Sequence, residues 1–144
     1  MRRSILSVVA LAFCSAAAFP QSADPNPLAA ARVFSFEEMN AKTSPRGAVG
    51  RSVFNGTLTT GESVAVHETM QPAGMAPNPA HRIQHSEIIL VQEGTLEFDH
   101  DGQTERADAG SIIYVALGTL HAVRNVGVGP VKYIVVQIGG DIKK

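Results

Sequence analysis

The sequence has no tryptophan, a single cysteine among 144 residues, and an aromatic content of only 6%. One cysteine excludes an internal disulfide and a thiolate metal cage. Charge of one sign is also missing: 12 basic residues face 13 acidic ones, for a formal net charge of -1. That balance points to neither nucleic acid nor an anionic membrane surface as a partner. No amphipathic helix of ordinary length and no internal repeat can be read along the chain. What is abundant is punctuation, with 13 glycines and 8 prolines in a chain of one-domain length.

The first residues have the order of a secretory signal. Arg2 and Arg3 form a cationic start, Ile5 to Phe13 is apolar, and the small residues Ser15 to Ala18 follow. The apolar run is too short and too soon interrupted to span a bilayer. Cleavage after Ala18 is expected, with export to the periplasm or medium and no membrane attachment afterwards. Cys14 lies in the removed segment, so the mature chain has no thiol. Losing Arg2 and Arg3 changes the balance to 10 minus 13, or -3. Residues 19–47 read as a partly flexible N-terminal arm, with Ser22 to Ala30 rich in Pro, Ala and Asp. Within the arm, Arg32 to Phe36 has the alternation of a strand, and Phe36 to Asn40 suggests one helical turn.

From Ala48 to about residue 140 the chain reads as strand after strand, leaving 141–144 as a tail. Ala48 to Phe54 runs into Asn55-Gly56, a hairpin signal. Ser63 to Met70 alternates, and Gln71 to Ala80 is a Pro-rich loop. Glu87 to Gln92, Thr95 to Phe98, Ser111 to Val115, His121 to Asn125 and Val131 to Ile138 are further strands. Asp101-Gly102 is a second hairpin turn. Short strands with regular breaks predict an all-β sandwich or barrel.

Four polar residues interrupt apolar strand sequence: His81, His85, Glu87 and His121. Residues 81, 83, 85 and 87 share parity, so in an extended chain they point to one face. Imidazoles and a carboxylate converging from two strands suit a borderline divalent metal. His67, beside Glu68 in an alternating strand, reads as a half-exposed strand residue. His100, in the turn Asp99 to Gly102, reads as solvated. Tyr114 and Tyr133 read as packing residues, and Asn125 as a residue that caps or hydrogen-bonds within the fold.

These residues resemble the two cupin motifs. Gly110, five residues, Ala116-Leu117-Gly118, two residues, His121, three residues and Asn125 resemble G-x5-P-x-G-x2-H-x3-N, with Ala116 in place of the Pro. In the first motif, G-x5-H-x-H-x3,4-E-x6-G, Glu87 and Gly94 fit the second half and His81 fits the first His. Gly74 stands one residue too far back, and the second His position holds Ile83. The resemblance runs from about Val49 to Ile138 and is to small secreted bacterial cupins of the RmlC-like type. It implies a double-stranded β-helix (jelly-roll) barrel, a divalent ion (Fe, Mn, Zn, Ni or Cu), a small-molecule ligand and a homodimer that covers exposed strand edges.

Three arrangements accommodate Ile83. The site keeps His81, Glu87 and His121 alone; or His85 swings in as a further ligand; or the site is degenerate. The resemblance implies dioxygenase-, isomerase- or decarboxylase-like chemistry on a small organic molecule. The competing expectation is a non-catalytic module that holds a small ligand or a metal. Arg82 and Arg124 are the only cations with a prospect of pointing into the barrel.

Overall fold

A computed structural model describes residues 28–140 and residue 142. The expected signal segment Met1 to Ala18 and the first part of the arm lie outside the described residues. Ten strands follow a 3-10 turn at Phe36–Glu38: β1 Ala41–Thr43, β2 Val49–Thr57, β3 Ser63–Gln71, β4 His81–Arg82, β5 Ser86–Glu93, β6 Thr95–His100, β7 Gln103–Asp108, β8 Ile112–Val115, β9 Leu120–Asn125 and β10 Val131–Ile138. They pair antiparallel in two sheets, ordered β1-β2-β3-β10-β5-β8 and β4-β9-β6-β7. This is the expected all-β jelly roll.

The alternation of each strand decides what lies between the sheets. On β10, Val131, Tyr133 and Val135 are buried; on β5, Ile89 and Val91; on β6, Leu96 and Phe98. With Ile83, Ala107, Ile113 and Val115 they form one core cluster. Each fully buried aliphatic side chain contributes about 1.5–3 kcal/mol, so the sandwich needs no staple.

The hairpin between β6 and β7 turns at Asp101 (φ 45°) and Gly102 (φ 84°), the two left-handed residues of a type I′ turn. The other hairpin signal misleads. Asn55 and Gly56 continue β2 and pair with Ala65 and Val64. The chain turns instead at Leu58 to Glu62, where Leu58 N–H donates to the Glu62 carbonyl at 2.8 Å. The strand expected at Arg32 to Phe36 does not form either. The edge of β2 is already taken by β1, which also begins the sheet within the segment read as an arm. Phe34 packs on Phe54, ring centroids 4.8 Å apart, and Arg51 and Lys132 lie over the Phe36 ring.

One connection positions the site. Between β4 and β5, residues Ile83, Gln84 and His85 carry the chain from the four-stranded sheet to the six-stranded one. The crossing is held on one side by Gly118, whose N–H donates to the Ile83 carbonyl at 3.0 Å and whose carbonyl accepts from Arg82. On its other side lies Gly140 (φ 63°), where a Cβ would collide with the Gln84 carbonyl oxygen and come within 2.9 Å of His85 Cα.

Candidate functional site

Glu87, near the start of β5, faces inward opposite Gln137 of β10 and Val115 of β8. His121 of β9 sits in the other sheet, in register with His81 of β4 on one side and His100 of β6 on the other. The crossing then drops His85 between the sheets. His85, Glu87 and His121 are 8%, 7% and 3% exposed.

The structure brings three of the four expected residues together. His85 Nε2 lies 3.0 Å from Glu87 Oε1, and His121 Nε2 lies 3.8 Å from Glu87 Oε2. Two imidazoles therefore flank one carboxylate, each at its own oxygen. His121 Nδ1 is 3.2 Å from the Thr119 carbonyl. A carbonyl only accepts, so that bond puts the proton on Nδ1 and leaves the Nε2 lone pair facing Glu87. His81 stands outside this group. It is exposed, its ring lies 4.8 Å from the His121 ring, and its Nδ1 is 3.3 Å from the Pro79 carbonyl. Ile83 is buried in the core cluster, so position 83 does face inward but offers hydrocarbon. Among the described residues, no three His, Asp or Glu side chains stand as placed in an arrangement that holds a metal ion.

Three neighbours complete the surroundings: Gln137, which the sequence reading missed, and His67 and Tyr133, which read in the sequence as a half-exposed strand residue and a packing residue. Gln137 donates through Nε2 to Glu87 Oε1 at 2.9 Å, and the same nitrogen lies 3.0 Å from His85 Nε2. In the structure Gln137 continues the inward row Val131, Tyr133, Val135. His67, inward on β3 opposite Val135, is close enough to feel Glu87 and His85. Burial lowers its pKa, with the His85 charge adding and the Glu87 charge opposing. Tyr133 is buried, accepts from Gln71 Nε2 at 2.9 Å, and has its phenol pushed up to about 12 by burial, with Glu87's charge adding.

Other expectations are corrected. His100 is not a solvated turn residue: it stacks on Phe98 at 4.7 Å and pairs with Glu105 Oε2 at 2.8 Å. Tyr114 points out of β8 and is 64% exposed, because the inward parity of that strand belongs to Ile113 and Val115. Neither arginine enters the barrel: Arg82 is tied to Gly118 and Arg124 to Glu97 and Asp99. Asn125 does hydrogen-bond within the fold, accepting from Gly127 N–H and donating to the carbonyls of Gly129 and of the distant Gln71.

Two cavities among the described residues come near the group without being lined by it. One, of about 360 Å³, opens between β7 and β8 and is lined by Phe98, His100, Glu105 and Ile113 among others. The Phe98 ring lies 6.0 Å from the His121 ring, so this cavity stops one ring short of the site. The other, of about 420 Å³, lies over β1 and β2 and reaches His67.

The cupin domain family profile matches residues 66–137, which is 72 of the 144 residues. No curated protein matches the chain. Solved structures do. An RmlC-like cupin from Shewanella frigidimarina NCIMB 400 is similar with a TM-score of 0.62 and 19% identity, over 77% of this chain and 94% of that one. KdgF from Halomonas sp. is similar with a TM-score of 0.64 and 16% identity, over 78% and 97%. The DMSP lyase DddQ from Ruegeria pomeroyi DSS-3 is similar with a TM-score of 0.50 and 27% identity, over 56% of this chain and 40% of that one. The matched profile, both cupin motifs and the two-sheet barrel agree, and the chain belongs to the cupin superfamily.

Proposed function

We propose that the barrel holds a divalent metal ion between His85, Glu87 and His121 and acts there on a small organic molecule. The observation that carries this reading is the buried Glu87 carboxylate, flanked by two buried imidazoles within a largely hydrocarbon interior. A buried charge is costly unless paired or coordinated, and two imidazoles with one carboxylate suit Fe, Mn, Ni, Zn or Cu. The donor types fit such an ion, although the three residues alone do not close a shell. His81, at the edge of the His121 ring, stands where it can join or guard the site. Bound there, the ion supplies Lewis acidity or redox chemistry.

The chain's own residues do the rest. His121 is oriented by Thr119, Glu87 by Gln137, and the hydrocarbon of Ile83, Phe98 and Val135 keeps water out. His67, whose pKa burial lowers, offers an imidazole on the side of the larger cavity. Candidate reactions are dioxygenase-, isomerase-, decarboxylase- or lyase-like, the last because of the likeness to a DMSP lyase. The absence of an inward Arg or Lys at Arg82 and Arg124 favours a second reading, a module that binds a small ligand without turning it over. Loading the purified protein with each metal and following consumption of a panel of small organic acids and sugars separates the two. Binding by calorimetry without turnover supports the module, and turnover abolished by Glu87→Gln supports the enzyme.

Two further parts of the proposal concern the whole chain. Export with loss of Met1 to Ala18 is tested by N-terminal sequencing of protein from the periplasm or medium; an intact Met1 in the cytosol refutes it. Homodimer formation is supported by the exposed Ile112 and Tyr114 on edge strand β8 and tested by sedimentation. Tyr114→Lys is expected to shift a dimer toward monomer, and a monomeric parent refutes it.

A further inference from the structure

His85 Nε2, Glu87 Oε1 and Gln137 Nε2 form a triangle with edges of 3.0, 2.9 and 3.0 Å. With Glu87 ionised, no placement of protons turns all three edges into hydrogen bonds. If His85 Nε2 carries a proton, it donates to Glu87 but meets the Gln137 amide nitrogen, which only donates. If His85 Nε2 carries a lone pair, Gln137 satisfies both neighbours, but that lone pair faces the carboxylate. If the Gln137 carboxamide makes a half-turn, its oxygen accepts from His85 and stands against the Glu87 oxygen. One edge is repulsive in every case. His85 and Glu87 are buried and Gln137 is half-buried, and at the two buried corners an unmet polar contact is expensive.

A cation over the triangle removes the conflict, because it takes one lone pair from each corner. The edges, which are ordinary hydrogen-bond lengths, are also compatible with the donor spacing around an ion. Neighbouring donors of a six-coordinate ion at about 2.1 Å are about 3.0 Å apart. Those of a four-coordinate ion at the same bond length are about 3.4 Å apart. We infer that Gln137, with its carboxamide oxygen turned inward, is a metal ligand, and that His85, Glu87 and Gln137 form one face of a six-coordinate site with His121 as a further donor. This rests on the metal reading above and assigns to Gln137 the place that Ile83 cannot fill. It also accounts for why His, Asp and Glu alone do not complete a site here.

The probe is Co(II), whose visible absorption strengthens as coordination number falls. Chelator competition measures its affinity in wild type, Gln137→Leu and Gln137→Glu. Gln137→Leu is expected to weaken binding by about tenfold or more and to intensify the visible bands. Gln137→Glu keeps an oxygen donor. It is expected to bind at least as tightly as wild type, and to gain more thermal stability from the ion because two carboxylates face each other without it. Wild-type affinity in Gln137→Leu overturns the inference, and so does weaker binding with an unchanged spectrum, which would make Gln137 a positioning residue. If Gln137→Leu does not fold, Gln137→Glu decides alone, and binding weaker than wild type overturns the assignment. A wild-type protein that takes up no Co(II) sinks the metal reading itself, so the two failures are distinguishable.

Discussion

Ile83 and His85 lie two residues apart on the crossing between the sheets and are equally buried, but only His85 reaches Glu87, at 3.0 Å. The cupin motif expects its second imidazole at position 83. Here that position belongs to the hydrocarbon core, and an imidazole from the next inward position approaches the carboxylate.

Exchanging the two tests this arrangement. His85→Ala is expected to weaken metal binding by about tenfold or more, judged against the scale of even outer-shell changes. Ile83→His places a polar ring in the core and is expected to lower the stability of the metal-free protein by about 1–3 kcal/mol. Metal should restore that loss and raise affinity above wild type. In the double variant, the loss caused by His85→Ala should shrink. Chelator titrations and denaturant midpoints on the four proteins measure both effects. Equal metal affinity in wild type and Ile83→His would mean that residue 83 cannot reach the ion.

Gly140 gives a test that touches no polar side chain. An added Cβ meets the backbone of Gln84 and His85, which cannot move aside as a flexible side chain would. Gly140→Ala is expected to cost about 1–3 kcal/mol from crowding and to weaken metal binding by displacing His85. Gly102→Ala is the control: it has positive φ but open space around the added atom. It should lose only the backbone term and leave metal binding unchanged. Equal behaviour of the two variants would refute the contact.

The half-buried His67 predicts a pH dependence of folding in the metal-free protein. Its folded pKa lies below the ordinary 6.5, chiefly through burial. Between the folded value and 6.5 the unfolded chain binds more protons, so stability rises with pH in that window. The contribution is fully present above 6.5 and is lost as pH falls toward the folded value. Denaturant melts across pH 5 to 8 should show this slope, and His67→Gln should flatten it. An unchanged slope in that variant would mean that His67 titrates as freely in the fold as in the unfolded chain.

Much of this was legible in the sequence where turn residues bound an apolar stretch. β10 shows both of its ends, because the largely apolar run Val131 to Ile138 is bounded by Gly129-Pro130 and Gly139-Gly140. Glu87 and His121 were visible as polar breaks in apolar strands. Gln137 was not, since an inward Gln in a strand looks like an outward one until the register with Glu87 is known. His100 was misread for the same reason, as its place beside His121 depends on the pairing of β6 with β9. Asn55-Gly56 failed because a dipeptide able to turn does not have to turn when strand pairing with Ala65 and Val64 offers more hydrogen bonds.

The central claim is that Glu87 and its imidazoles hold a metal ion, and isothermal titration of the metal-free protein with Fe(II) or Mn(II), excluding oxygen, measures it most directly. The account predicts one ion per chain in the wild type, and binding weakened at least a hundredfold in Glu87→Ala with the fold retained by circular dichroism. Failure of the wild type to bind, or undiminished binding in Glu87→Ala, would contradict it.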